Sequence, residues 1–161
     1  MRFGGLTLDL RDRLAEVLHT GGAKLAYAWD ANGNRTAITA TVAGQTLTTS
    51  STYDALNRLD TVTDPRGEVY RHGYDANGNR TSLVYPNGVQ TGYTYDALNR
   101  LRQLRTQTSA GTVLQGYLYT LGATGNRTKI EEADGTVRSY GYDALYRLTT
   151  ELVSRNGATL Y

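Results

Sequence analysis

Along most of the chain, apolar and aromatic residues stand two positions apart, and this alternation is broken at short intervals by Asn, Asp and Gly. A spacing of two places side chains on one face of a β-strand. Leu6, Tyr27, Tyr93, Tyr117 and Tyr140 lead into such breaks, and Ile38, Val62, Leu83, Leu104 and Ile130 lie on the segments that return from them. The break is clearest at Tyr74 to Thr81, which reads YDANGNRT. Asn77-Gly78 suits the left-handed backbone of a tight β-hairpin turn, and the Asp75 carboxylate can fold back onto the turn's amides. The stretch is therefore predicted to be a hairpin tip.

Variants of that string recur. Seven units begin at anchors Leu8, Trp29, Tyr53, Tyr74, Tyr95, Tyr119 and Tyr142, spaced 21, 24, 21, 21, 24 and 23 residues apart. One kind of unit carries ANGNRT after its anchor, at Trp29 to Thr36 and Tyr74 to Thr81. A third example runs from Tyr119 to Thr128 and is read with two extra residues. The other kind reads YDALNRL at Tyr53 and Tyr95 and YDALYRL at Tyr142, and LDLRDRL at Leu8 fits it with Leu in place of Tyr. A second turn follows in each unit, at Gly21-Gly22, Gly44, Arg66-Gly67, Asn87-Gly88, Ala110-Gly111, Asp134-Gly135 and Asn156-Gly157. Each repeat is thus strand, tip, strand, turn.

The fold class that follows is all-β: consecutive antiparallel hairpins forming one curved, spiralling meander sheet, with residues 1–161 as a single array of about seven units truncated at both ends. Strands of about seven residues at roughly 3.3 Å each give a ribbon about 20–25 Å wide. Residues Leu10, Leu14, Val17 and Leu18 also fit helical spacing, but the repeat alignment and the Gly21-Gly22 turn favour strands there.

Composition sharpens this picture. There are 18 Gly and 13 Tyr but a single Phe, Met and Trp, a bias suited to half-buried pleated surfaces with a thin, partly polar interior. The 17 basic and 15 acidic residues leave a formal charge of +2, too balanced for a dedicated nucleic-acid binder. All the basic residues except Lys24 and Lys129 are Arg, and that excess is explained by position. With no Cys there is neither a disulfide framework nor a zinc-thiolate site, and no apolar run is long enough for a membrane-spanning helix.

YDANGNRT alternating with YDALNRL closely resembles the tyrosine-aspartate repeats of the Rhs family, which includes bacterial polymorphic toxins, cage-forming components of insecticidal toxin complexes, and teneurins. The resemblance implies a long β-ribbon spiralling into a hollow shell that, in bacterial members, holds a C-terminal toxin. It further implies that this chain is a wall segment of a longer Rhs polypeptide, from a secreted or cell-surface protein, whose partners are the rest of that polypeptide or an enclosed toxin domain.

The residues assigned to shaping the repeat are Asp30, Gly33 and Arg35; Tyr53, Asp54 and Arg58; Tyr74, Asp75, Gly78 and Arg80; Tyr95, Asp96 and Arg100; Tyr119, Gly125 and Arg127; and Tyr142, Asp143 and Arg147. The tip arginines, with Arg13, are expected to spread over neighbouring Tyr rings and to fork onto the tip carboxylates, Asp9 among them. Catalytic chemistry has little to stand on. His19 and His72 fall at different places in different repeats, and Glu131 and Glu132 alternate to opposite faces. The DANGN strings at Asp30 and Asp75 have Arg, not Gly, at the sixth position of a calcium loop. Neither a cofactor nor a metal is expected. A carbohydrate- or protein-binding module at the cell surface is the alternative, with Tyr70, Tyr85 and Tyr146 as the aromatic residues that leave the repeat pattern. The cut edges of the ribbon are expected to self-associate through their terminal strands.

Overall fold

The computed structural model describes residues 3–161. They form fifteen β-strands and no helix: β1 (Phe3–Leu8), β2 (Leu14–His19), β3 (Lys24–Trp29), β4 (Arg35–Val42), β5 (Gln45–Tyr53), β6 (Leu59–Thr63), β7 (Val69–Tyr74), β8 (Arg80–Val84), β9 (Gln90–Tyr95), β10 (Leu101–Gln107), β11 (Val113–Leu121), β12 (Arg127–Glu132), β13 (Thr136–Tyr142), β14 (Leu148–Arg155) and β15 (Ala158–Thr159). Strand order follows chain order without a crossover, and every described pairing is antiparallel. The predicted all-β meander is what the chain forms. Its strand order is open, with β1 and β15 each having one neighbour.

Two compact units divide the chain, one ending at Arg71 and the other running His72–Tyr161. In the first unit, direct register partners assign the faces. One face carries Leu6, Val17 and Leu25, then Tyr27 with Ile38, Ala40 with Leu47, and Val62 with Tyr70. The other carries Glu16, Ala26 and a field of threonines whose hydroxyls pair across strands: Thr39 with Thr48 at 3.0 Å, Thr41 with Thr46 at 3.4 Å, and Thr52 with Thr61 at 2.7 Å. In the second unit the aromatic face places Tyr93, Leu104 and Tyr117 in line, and Tyr119, Ile130, Arg138 and Val153 in another.

Only three apolar side chains among the described residues are buried: Val17, Tyr119 and Val153. Leu6, Leu8 and Leu47 each keep more than half of their surface exposed. This is the signature of a single layer, because a sheet face becomes a core only when a second layer covers it.

The segment around Leu10 is a tip, not a helix. Leu10 is fully exposed there, while the following residues enter β2 and bury Val17 between Leu6 and Leu25. Register slips by one at the tip end of the hairpins, as at Thr7/Leu8, Ala28/Trp29, Thr52/Tyr53, Thr120/Leu121 and Gly141/Tyr142. The extra residue of each bulge lies on the returning strand, at Ala15, Thr36, Asp60, Thr128 and Thr149, with the anchor as the single residue opposite it.

Candidate functional site

In each compact unit the tips lie along one edge of the sheet, and all seven tips have one design. The residue after the anchor donates its N–H to the carbonyl four residues on and accepts the N–H of the residue three on. These pairs are Asp9, Asp30, Asp54, Asp75, Asp96, Gly122 and Asp143 with Arg13, Asn34, Arg58, Asn79, Arg100, Asn126 and Arg147. The sixth tip corrects the repeat alignment. It is built on Leu121-Gly122, with no two-residue insertion, and Tyr119 stands two residues before the anchor, where Tyr27, Tyr93 and Tyr140 stand in their units. The neighbouring anchor spacings are therefore 26 and 21 residues.

The tip is also not the two-residue turn predicted from Asn-Gly. Gly78 is left-handed at φ 87, and Asn77 is absent from the positive-φ residues. The left-handed position is the fourth of each tip from Asp, and it is held by Asp12, Gly33, Asn57, Gly78, Asn99, Gly125 and Tyr146. Here lies the difference between the two kinds of unit. Gly and Asn both tolerate that backbone region, so ANGN and ALN fill the same loop.

Each tip aspartate organises its loop with both oxygens. Asp96 Oδ1 accepts the N–H groups of Leu98 and Arg100 at 2.9 and 3.0 Å, and Oδ2 accepts Arg100 Nε at 2.7 Å. Asp75 does the same with Asn77, Asn79 and the Asn79 amide at 2.9, 2.8 and 2.9 Å. The expected fork thus forms at Arg13, Arg58, Arg100 and Arg147. In the ANGN units an Asn takes that place, and the arginine one residue on goes to a ring: Arg80 lies 4.8 Å from the Tyr93 centroid and Arg127 4.7 Å from that of Tyr119. These bonds hold the carboxyls below their ordinary range. Asp9 falls to about 2, chiefly through the Arg13 side chain, and Asp75 is lowered chiefly by the Asn79 amide.

Within each compact unit, three kinds of contact stitch neighbouring tips together. Asn57 Oδ1 accepts from the amides of both Asn32 and Asn34 at 2.9 Å, and Asn99 Oδ1 accepts from those of Asn77 and Asn79 at 3.0 and 2.8 Å. Arginines of the other kind of unit reach forward, with Arg13 Nη1 donating to the Asp30 carbonyl at 2.9 Å and Arg100 Nη1 to that of Gly122 at 3.3 Å. The anchors reach back. Trp29 Nε1 donates to Leu14 O, and the hydroxyls of Tyr53, Tyr95 and Tyr142 donate to the carbonyls of Arg35, Arg80 and Arg127, at 2.9, 2.9, 2.9 and 2.7 Å. Every accepting residue holds the same place in its unit, one after the loop closes.

Neither the anchor hydroxyls nor the asparagine clasp was anticipated from the sequence. The excess of Tyr over Phe was the available signal, since a purely apolar anchor would not need an oxygen. Other candidates disperse. Glu131 pairs with Lys129 and Glu132 with Arg138 on opposite faces, while Tyr85 opens a second turn and Tyr146 sits in a tip. Among the described residues no three His, Asp or Glu side chains converge on a metal-sized site.

A sheet made of like hairpins, with neighbouring tips clasped together within each compact unit, defines a repeat protein of the structural class. The RHS repeat model matches residues 29–69, 53–90, 74–113 and 123–159, and the chain belongs to that family. Solved structures to which the chain is similar include a TcdB2–TccC3–TEV crystal structure (16% identity over 91% of this chain and 13% of that chain, TM-score 0.48) and a Photorhabdus luminescens Tc holotoxin pore (16%, 91%, 12% and 0.46). A porin-like protein from Bacteroides uniformis ATCC 8492 is also similar (12%, 96%, 90% and 0.39). No curated protein matches the chain.

Proposed function

We propose that the chain is a non-catalytic wall segment of a longer Rhs-type polypeptide, whose repeats together form a curved shell that encloses or presents a toxin or effector domain. The observation that supports this most is the single-layer sheet with clasped tips: it propagates unit by unit, and its apolar face has too little of its own chain to cover it. In this reading the seven-unit array and the tip residues Asp30, Gly33, Arg35, Asp54, Arg58, Asp75, Gly78, Arg80, Asp96, Arg100, Gly125, Arg127, Asp143 and Arg147 shape the wall. The anchors Tyr53, Tyr95 and Tyr142 join one repeat to the next, Tyr74 holds the anchor position of its own tip, and Tyr119 is a ring support for Arg127. Closure of the full ribbon removes its edges, whereas the 161-residue chain keeps two.

Two measurements test the proposal. The open reading frame on either side of this segment should encode further repeats and an unrelated domain, and electron microscopy of the full product should show a hollow body in which that domain resists protease. An extended open ribbon with a protease-accessible domain would refute enclosure. For the segment alone, light scattering across a wide concentration range should show association; a tight monomer throughout would count against exposed pairing edges.

A further inference from the structure

The chain contains four Asn-Gly pairs, at Asn32, Asn77, Asn87 and Asn156, and the structure treats them unequally. Asn-Gly is the dipeptide most prone to spontaneous deamidation. The glycine nitrogen loses its proton to base and attacks the asparagine Cγ, ammonia leaves, and the resulting succinimide is opened by water to aspartate or isoaspartate. One water is consumed and one ammonia released, with no change in oxidation state.

Two features of a fold oppose that step: an N–H already donated to a carbonyl, and a side-chain amide held away from its own backbone. Gly33 donates its N–H to the Asp30 carbonyl at 3.3 Å, Gly78 to that of Asp75 at 3.1 Å and Gly88 to that of Tyr85 at 2.9 Å. The Asn32 and Asn77 amides are also clasped by Asn57 and Asn99, and Asn87 Oδ1 accepts the N–H of Val89 at 3.1 Å. Asn156-Gly157 has neither restraint. It is a two-residue turn between paired Arg155 and Ala158, with both residues left-handed at φ 50 and 82. Among the described residues neither the Gly157 N–H nor the Asn156 amide makes a hydrogen bond, and Asn156 is exposed.

We propose that Asn156 is the deamidation site of this chain, and that the tip asparagines are protected by the contacts that join the tips. Isoaspartate at Asn156 adds a methylene to the turn that closes β14 onto β15. The terminal pairing of Ser154 with Thr159, and the bond from Val153 N–H to the Tyr161 carbonyl at 2.8 Å, would then loosen and leave β14 as the edge.

The test is peptide mapping by mass spectrometry of the whole 161-residue chain during incubation at mildly alkaline pH, with fragmentation that separates aspartate from isoaspartate. Asn156 should convert first, with Asn32 and Asn77 slower by roughly fivefold to tenfold, the factor that one or two net hydrogen bonds impose. In concentrated urea the four rates should converge. Asn57→Gly, which keeps the left-handed turn but removes the clasp, should accelerate Asn32 and leave Asn156 unchanged. Equal rates at all four sites in the folded chain, or no response of Asn32 to Asn57→Gly, would overturn the proposal.

Discussion

Asn57 does two separable things, and a pair of substitutions separates them. It holds the left-handed position of its tip at φ 60, and its Oδ1 accepts from Asn32 and Asn34. Asn57→Gly removes only the second role, because glycine adopts that backbone freely. Both lost bonds lie at the exposed edge and water can replace them, so the expected cost is at the low end of the usual range, about 0.5–1 kcal/mol. Asn57→Ala removes both roles and adds the steric cost of a Cβ in the left-handed region, about 1–2 kcal/mol more. The sole tryptophan, Trp29, sits in the anchor of the tip that Asn57 clasps, so its fluorescence in a urea titration follows this unit. The midpoints should fall in the order wild type, Gly, Ala. If Ala and Gly coincide, the left-handed requirement is wrong; if Gly equals wild type, the clasp contributes nothing.

Three further outcomes are expected. Tyr95→Phe loses the bond to the Arg80 carbonyl while keeping the ring, and circular dichroism melts should show about 0.5–1.5 kcal/mol of destabilisation. Tyr146→Asn should stabilise by about 1 kcal/mol in urea unfolding, since a bulky residue now holds φ 59 where Asn57 and Asn99 stand in the sister tips. Stability should also fall in acid. The tip carboxyls titrate lower folded than unfolded, so the unfolded chain takes up protons first; their contribution is complete above the ordinary value of 3.8 and is lost as pH drops toward about 2, where Asp9 titrates. Unfolding midpoints that stay level over that pH window would contradict the carboxylate-centred tip.

The meander was legible because strand alternation and turn chemistry are local, and each unit repeats both. The tip loop was only half legible. Asn-Gly at Asn77-Gly78 fits a two-residue hairpin turn by its residues alone, yet the aspartate before it draws in two more amides and makes a longer loop with a single left-handed residue. The sixth anchor was misplaced for a related reason. Tyr119 matched by residue type, while the loop's hydrogen bonds select Leu121-Gly122, where neither Tyr nor Asp is present to mark the place. The split at the carboxylate was hidden because its partner depends on whether the fourth residue after Asp is the arginine itself or an asparagine that reaches it first, while a ring is in reach of either kind, as Arg13 over Trp29 at 5.5 Å shows.

That split explains why two kinds of unit alternate. A tip of the ALNR kind offers one asparagine oxygen backward and one guanidinium forward, as Asn99 and Arg100 do. A tip of the ANGN kind offers two asparagine amides forward and loop carbonyls backward, as Asn32, Asn34 and Asp30 do. Donors therefore meet acceptors at every junction only when the kinds alternate. Two adjacent ANGN tips would present amides to a loop lacking the Oδ1 of Asn57 or Asn99, and two adjacent ALNR tips would leave that oxygen without its pair of amides. The junction after Asn126 shows the first situation in part. Tyr146 replaces the accepting asparagine, and Asn126 Oδ1 instead takes the Thr124 hydroxyl at 2.7 Å within its own tip. Alternation is thus a matching rule between neighbours, and each exposed contact is individually weak but repeated along the edge.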